Sequence, residues 1–137
     1  MSGKLVYKEL SYAIMQAAYE VHNQLGPGLL EKLYERALII ELSARGHKVE
    51  QQKAIVAKYK NQVIGKHILD LIVDDCIILE LKAVSTILPI HQQQALSYLK
   101  TTGYELAIVI NFGASSVQSR RVVYTPKKQH KTEKKFA

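Results

Sequence analysis

Residues 105–111 read Glu-Leu-Ala-Ile-Val-Ile-Asn, a nearly continuous apolar run of strand length. A strand with one wet face alternates apolar and polar side chains, whereas an unbroken run needs cover on both faces. This segment therefore belongs at the centre of a sheet with helices packed on it. Ahead of it, Ile90–Thr102 has a helical pattern, opened after Pro89 and closed by Gly103. Ahead of that, Cys76–Val84 is rich in β-branched residues and predicts another strand. A strand, a helix and a buried strand in succession predict a parallel pair joined by a right-handed crossover.

The first third of the chain has a different period. Leu10, Ala13, Ile14, Ala17, Ala18, Val21 and Leu25 mark Leu5–Leu25 as an amphipathic helix, broken by Gly26-Pro27-Gly28. Leu30, Leu33, Ala37, Leu38, Ile40 and Leu42 mark Leu29–Ala44 as a second, ending at Gly46. The spacing then changes. Val49–Tyr59 alternates as a half-buried strand would, Asn61-Gln62 is a turn, and Val63–Val73 is a second strand with a kink at Gly65. Asp74-Asp75 is the next turn signal, Phe112–Ser119 is a loop, and Arg120–Tyr124 is a short last strand. The predicted order is α-α-β-β-β-α-β-β: an α/β (α+β) fold with a central mixed sheet flanked by helices.

At 137 residues a single domain is expected, and 47% hydrophobic with 23% charged residues excludes a mostly disordered chain. Cys76 is the only cysteine, which excludes an internal disulfide framework and a cysteine-based zinc cage. No apolar run nears the roughly 20 residues that cross a bilayer, and Met1-Ser2-Gly3-Lys4 lacks a signal-peptide core. The expectation is a cytoplasmic protein with no membrane partner. The net charge of +7 is unevenly placed. Residues 127–137 carry five lysines against Glu133, a net +4, while 14 basic and 11 acidic side chains elsewhere leave +3. The domain is therefore placed at 1–126 and a disordered basic tail at 127–137. That tail is either a counterion-releasing arm for phosphate backbones or a solubilising terminus.

The chemistry concentrates between Asp70 and Lys82. Asp70 interrupts the apolar stretch 68–72, and Glu80 and Lys82 interrupt 77–82. Residues two apart on a strand share a face, so Glu80 and Lys82 are neighbours. An odd-numbered loop centred on Asp75 puts Asp70 directly across from Glu80, about 5 Å away. Two carboxylates that close do not both ionise cheaply, and a divalent cation resolves the conflict. Oxygen ligands with open positions suit Mg²⁺ or Mn²⁺. With Lys82 alongside, the set has the makeup of metal-assisted phosphodiester hydrolysis. The competing reading is a solvated sheet face with scattered charges.

Glu31 falls in the first turn of the second helix with Tyr34 one turn on, and Gln94 and Tyr98 share a face of the third. Taken alone, these read as dipole compensation and a polar helix surface with one anchor. His22 and His91, near helix ends, read as surface or capping residues, and Cys76 as structural.

Several motifs in this order resemble the GxxExxY family, a group within the PD-(D/E)XK nuclease superfamily. They are Val21-His22-Asn23-Gln24-Leu25-Gly26-Pro27-Gly28, then Gly28…Glu31…Tyr34, then Asp70 with Glu80-Leu81-Lys82. His91-Gln92-Gln93-Gln94-Ala95-Leu96-Ser97-Tyr98-Leu99 and Ile110-Asn111-Phe112-Gly113 complete the set, so the resemblance spans roughly Tyr12 to Val123. The superfamily's proline before the aspartate is replaced by Leu69. The resemblance implies a restriction-endonuclease-like core and a Mg²⁺- or Mn²⁺-dependent nuclease, with DNA favoured over RNA. It implies Asp70, Glu80 and the Leu81 carbonyl as metal ligands, and Lys82 beside the attacking water or the phosphate. Glu31 would reach the metal's water shell, and Gln94 and Tyr98 would orient the site or contact the backbone of the nucleic acid. Two other functions are open on sequence: a nucleic-acid-binding module without catalysis, and a protein-interaction domain. Tyr12, Ile14, Met15 and Tyr19 would form a homodimer face in the latter, or else belong to the core.

Overall fold

Leu106–Asn111 of the predicted central strand is buried at every residue in the computed structural model, which describes residues 7–125, while Glu105 is exposed just ahead of it. The elements are α1 (Lys8–Leu25), α2 (Glu31–Ala44), β1 (Val49–Tyr59), β2 (Gln62–Val73), β3 (Ile77–Lys82), α3 (Pro89–Thr102), β4 (Leu106–Asn111) and β5 (Gln118–Val123). The order and fold class match the sequence reading: three helices and a five-stranded mixed sheet, consistent with a restriction-endonuclease-like core. The sheet runs β1-β2-β3-β4-β5, with β3 and β4 parallel and the other neighbours antiparallel. The basic tail at 127–137 and the domain boundary at 126 lie outside the described residues, as do Leu5 and Val6 of the first predicted helix.

Each sheet face has its own core. Ile77, Leu79 and Leu81 of β3 and Leu106, Ile108 and Ile110 of β4 pack with the buried stripes of α1 and α2. Ile78, Ala107 and Val109, one residue out of phase, pack with Ala95, Tyr98 and Leu99 of α3. This two-sided cover explains why the β4 run has no polar alternation. By the same alternation Glu80 and Lys82 belong to the face that carries α3.

Some boundaries and stripes differ from the sequence reading. Helix α2 begins at Glu31 rather than Leu29 and buries Tyr34, Glu35, Leu38 and Leu42, while Leu30 is 76% and Ile40 69% exposed. Its inward stripe follows the i, i+4, i+8 line from Tyr34, which a count of aliphatic residues overlooks. Lys60-Asn61, both with positive φ, form the first hairpin turn, because Tyr59 pairs with Gln62. Strand β3 stops at Lys82, and Pro89 is inside the first turn of α3, where its missing N–H costs nothing. Strand β5 begins at Gln118, two residues before its expected start. The kink expected at Gly65 is present as a bulge: Ala57 pairs with Gly65 but Lys58 with Val63, leaving Ile64 extra. Ile14 is fully buried and so unavailable to a dimer face; Tyr12 and Tyr19 are exposed. Among the described residues no helix is long and apolar enough to cross a membrane.

Candidate active site

The loop between β2 and β3 has three residues, Asp74, Asp75 and Cys76, as the register argument requires. The pairs Val73↔Ile77, Ile72↔Ile78 and Leu71↔Leu79 set a register that places Asp70 beside Glu80. Regular pairing stops there. The Asp70 carboxylate accepts the Leu81 N–H at 2.8 Å, and the Asp70 backbone lies near enough to the Glu80 carboxyl to favour its charged form. A side chain thus takes over one rung of the ladder, and the two acids are locked together where the strands part.

Strand β2 also changes face at this point. Ile72 and Leu69, three apart, both pack in the α3 core, whereas strict alternation would separate them. Across from Asp70, between the pairs Gln51↔Leu71 and Lys53↔Leu69, Gln52 has φ of 52°. A glutamine in the left-handed region within a strand is strained. Its side chain donates to Glu35 Oε2 at 2.8 Å. Glu35, only 4% exposed, is the functional-site neighbour that sequence reasoning missed. The available signal was its i, i+4 spacing from Glu31, which puts both acids on one side of α2.

Around the pair stand groups from both helical layers. Lys82 donates to Gln94 Oε1 of α3 at 3.4 Å. Tyr98 is buried, with its ring edge-on to His67 at 4.8 Å between centroids. The structure therefore brings Glu31, Asp70, Glu80, Lys82, Gln94 and Tyr98 into one electrostatic neighbourhood. Burial first, then the charges of Glu31 and Glu35, raise Asp70 to about 6 against the hydrogen bond from Leu81 and the Lys82 charge. Burial first, then Asp70, raises Glu80 to about 8, against the opposing pull of Lys82. Tyr98 is pushed up to about 12, by burial and then by Glu80 and Asp70. Glu31 is exposed as a residue, yet its carboxyl is partly withdrawn from water. That desolvation raises its pKa, with Lys82 opposing and Glu35 adding.

The donor set fits a hard cation. Glu80 is 4% exposed, and its Oε2 is buried without a hydrogen-bond partner among the described residues. An orphaned buried carboxylate oxygen beside a second, half-buried carboxylate is costly unless a proton or a cation sits there. Among the described residues no three or more His, Cys, Asp or Glu form a ready metal cage. Two carboxylates and a nearby carbonyl nevertheless suit Mg²⁺, which keeps most of its water and binds through few protein oxygens.

The remaining motif residues build the platform. The Tyr34 ring stacks on Phe112 at 4.8 Å, and its hydroxyl donates to the Gly26 carbonyl and accepts from Leu29 N–H. This fixes the loop that launches α2 and hence Glu31. Asn111, fully buried, accepts from Val84 N–H and donates to the Val84 carbonyl, both at 2.9 Å. A Cβ on Gly113 would meet Val84 O at 2.4 Å, so only glycine allows this approach. Together they pin the chain just after Lys82. His91 caps α3, accepting from Leu88 N–H at 3.0 Å, as expected. His22 is buried rather than superficial, and its Nε2 lies 3.0 Å from the Ala114 carbonyl. Cys76 is a half-buried free thiol packed against the core. A concavity of about 470 Å³ between α1 and β5 shares no residue with the carboxylate cluster.

A family model for the PD-(D/E)XK nuclease superfamily matches residues 8–122, most of the chain. No curated protein matches it.

Proposed function

The chain belongs to the PD-(D/E)XK nuclease superfamily, and from that premise we propose that it is a Mg²⁺- or Mn²⁺-dependent nuclease of the GxxExxY type acting on DNA. The observation that carries this reading is the half-buried Asp70 beside the buried Glu80 with its orphaned oxygen, near the Lys82 ammonium. A surface built only to bind nucleic acid has no use for two opposed acids that repel phosphate.

Asp70 and Glu80 would hold the cation, with the Leu81 carbonyl as a further ligand. When bound, a divalent ion there polarises the scissile phosphate and lowers the pKa of water. Lys82 shares the Glu80 face and supplies positive charge for the oxygens that become more negative in the transition state. Gln94 accepts from the Lys82 ammonium and so orients it. Tyr98, raised to about 12, keeps its proton throughout the physiological range and serves as a donor toward the carboxylates or the phosphate backbone. Glu31 approaches from α2 as an acceptor for the water around the ion. Without a cation both acids are raised above their ordinary values, so near neutral pH the pair holds protons that free carboxyls would have lost. Binding a divalent ion there would therefore release protons.

The test is a panel of labelled linear and circular DNA and RNA substrates incubated with Mg²⁺ or Mn²⁺. The wild-type protein should cleave DNA, and EDTA should stop it. Asp70→Asn, Glu80→Gln and Lys82→Ala should each lose about 10³-fold or more in rate while remaining folded. Wild-type cleavage by Glu80→Gln would remove that residue from the site. A folded wild-type protein that binds DNA but never cuts it would leave a binding module instead.

A further inference from the structure

Strand β3 pairs with only Leu71, Ile72 and Val73 of β2, yet β1 and β2 pair with each other out to Tyr59↔Gln62. Residues 53–69 are therefore a two-stranded ribbon continuing past the sheet. Its long dimension is roughly 25 Å at about 3.3 Å per residue. Its root is the Gln52 and Asp70 position, so it rises directly from the carboxylate pair.

Lys53, Lys58, Lys60 and Lys66 lie on it with no acid anywhere between 53 and 69, and all four are exposed. Register sorts its two faces. Ile55, His67 and Leu69 turn toward α3, where His67 meets Tyr98. Val56 pairs with Lys66, Lys58 with Val63 and Ala54 with Ile68, so Lys58 and Lys66 share the opposite face with exposed Val56, Val63 and Ile68. At the tip Lys60 Nζ lies 5.5 Å from the centre of the Tyr59 ring. Exposed apolar side chains interleaved with lysines, and no acid, mark a surface for a polyanion that also offers apolar contacts.

We propose that this ribbon is a duplex-binding arm that lies in the major groove of B-form DNA and holds the backbone against the Asp70–Glu80 pair. A two-stranded ribbon fits a groove of about 12 Å, and its lysines would reach the phosphates on the two walls. The deep, narrow major groove of A-form RNA would exclude it. The proposal rests on the nuclease reading for the orientation of the arm, but binding and cleavage are tested separately.

Binding of the full chain to a labelled 20-base-pair DNA duplex is measured in EDTA between about 50 and 200 mM salt, so chemistry does not enter. Lys58→Gln/Lys60→Gln/Lys66→Gln should lose about tenfold or more in affinity and flatten the slope of log K against log salt by about 2 to 3. Removing as much charge elsewhere, in Lys8→Gln/Lys100→Gln/Arg120→Gln, should cost less than about threefold. Should the ribbon triple fail to fold, Lys66→Gln alone carries the test, flattening the slope by about 1. Equal losses in the two triples, or equal wild-type affinity for duplex RNA of the same sequence, would overturn the arm. Absent cleavage in Mg²⁺ or Mn²⁺ with these binding results intact would overturn the active-site reading and leave the arm standing.

Discussion

The β2–β3 hairpin carries a pair of acids at each end, and the two pairs have opposite fates. At the turn, Asp74 Oδ2 meets His47 Nδ1 at 2.8 Å, its Oδ1 accepts from Lys48 N–H at 2.8 Å, and Asp75 pairs with Lys48 Nζ at 3.1 Å. Slight burial works to raise Asp74, but the partners His47 and Lys48 outweigh it and hold the carboxyl below its ordinary value. At the other end, Asp70 and Glu80 are raised, and Glu80 keeps an oxygen without a partner. The side-chain chemistry is the same, a few residues away on one hairpin. What separates a structural acid from a reactive one here is whether burial is matched by hydrogen-bond donors.

The largest effects should come from exchanging charge for an isostere at each end. Glu80→Gln should lose at least about 10³-fold in cleavage, equivalent to about 4 kcal/mol, and near neutral pH should melt higher than the metal-free wild type by a few degrees, because folding no longer has to take up a proton at Glu80. Asp74→Asn should do the reverse. It should cleave at the wild-type rate and lose about 0.5–1.5 kcal/mol, the range for a partly exposed hydrogen-bonded pair. Thermal melts and cleavage assays on the two proteins settle the comparison. Equal loss of cleavage in both would erase it.

The pH dependence of stability should also have opposite signs at the two ends. Asp70 and Glu80 have folded-state values above their unfolded ones. Their contribution is fully present below about pH 4 and is lost as pH rises through about 6 and about 8. Asp74 is depressed, so its smaller contribution is present above about pH 4 and is lost as pH falls through its folded value. In chelator, the melting temperature should fall between about pH 5 and pH 8.5. Added Mg²⁺ or Mn²⁺ should raise it much more at the upper pH than at the lower. A metal-induced rise that is equal at both would show that the ion binds away from this pair.

Much of this was legible in the sequence because short-range rules were enough. A three-residue loop centred on Asp75 fixes which residues oppose, and a two-residue strand repeat puts Lys82 beside Glu80. Helical spacing placed Gln94 and Tyr98 together. Other features depend on contacts between distant segments. That β2 continues as a ribbon with β1 depends on where β2 and β3 part, and the side-chain bond from Leu81 N–H to Asp70 marks that point. The exposed Leu30 and Ile40 look like core until Tyr34 is seen to stack on Phe112 and turn the helix. The left-handed backbone of Gln52 leaves no mark in residue type, since glutamine has no preference for it.

The smallest expected effect concerns Glu35, whose buried carboxylate is held by Gln52 and lies close enough to Asp70 to raise it. Its position behind the pair implies a supporting part: it adds negative potential that favours a cation, without an observed hydrogen bond to either acid. Glu35→Gln keeps the shape and leaves an amide oxygen for Gln52, while removing the charge. Half-maximal cleavage should then require about three- to tenfold more Mg²⁺ or Mn²⁺, and the rate at saturating metal should change by less than about twofold. A metal titration of cleavage, paired with isothermal calorimetry of Mn²⁺ binding, distinguishes the outcomes. A fall in the saturated rate with unchanged Mn²⁺ affinity would move Glu35 from supporting the site into the chemistry itself, and would extend the reactive end of the hairpin into α2.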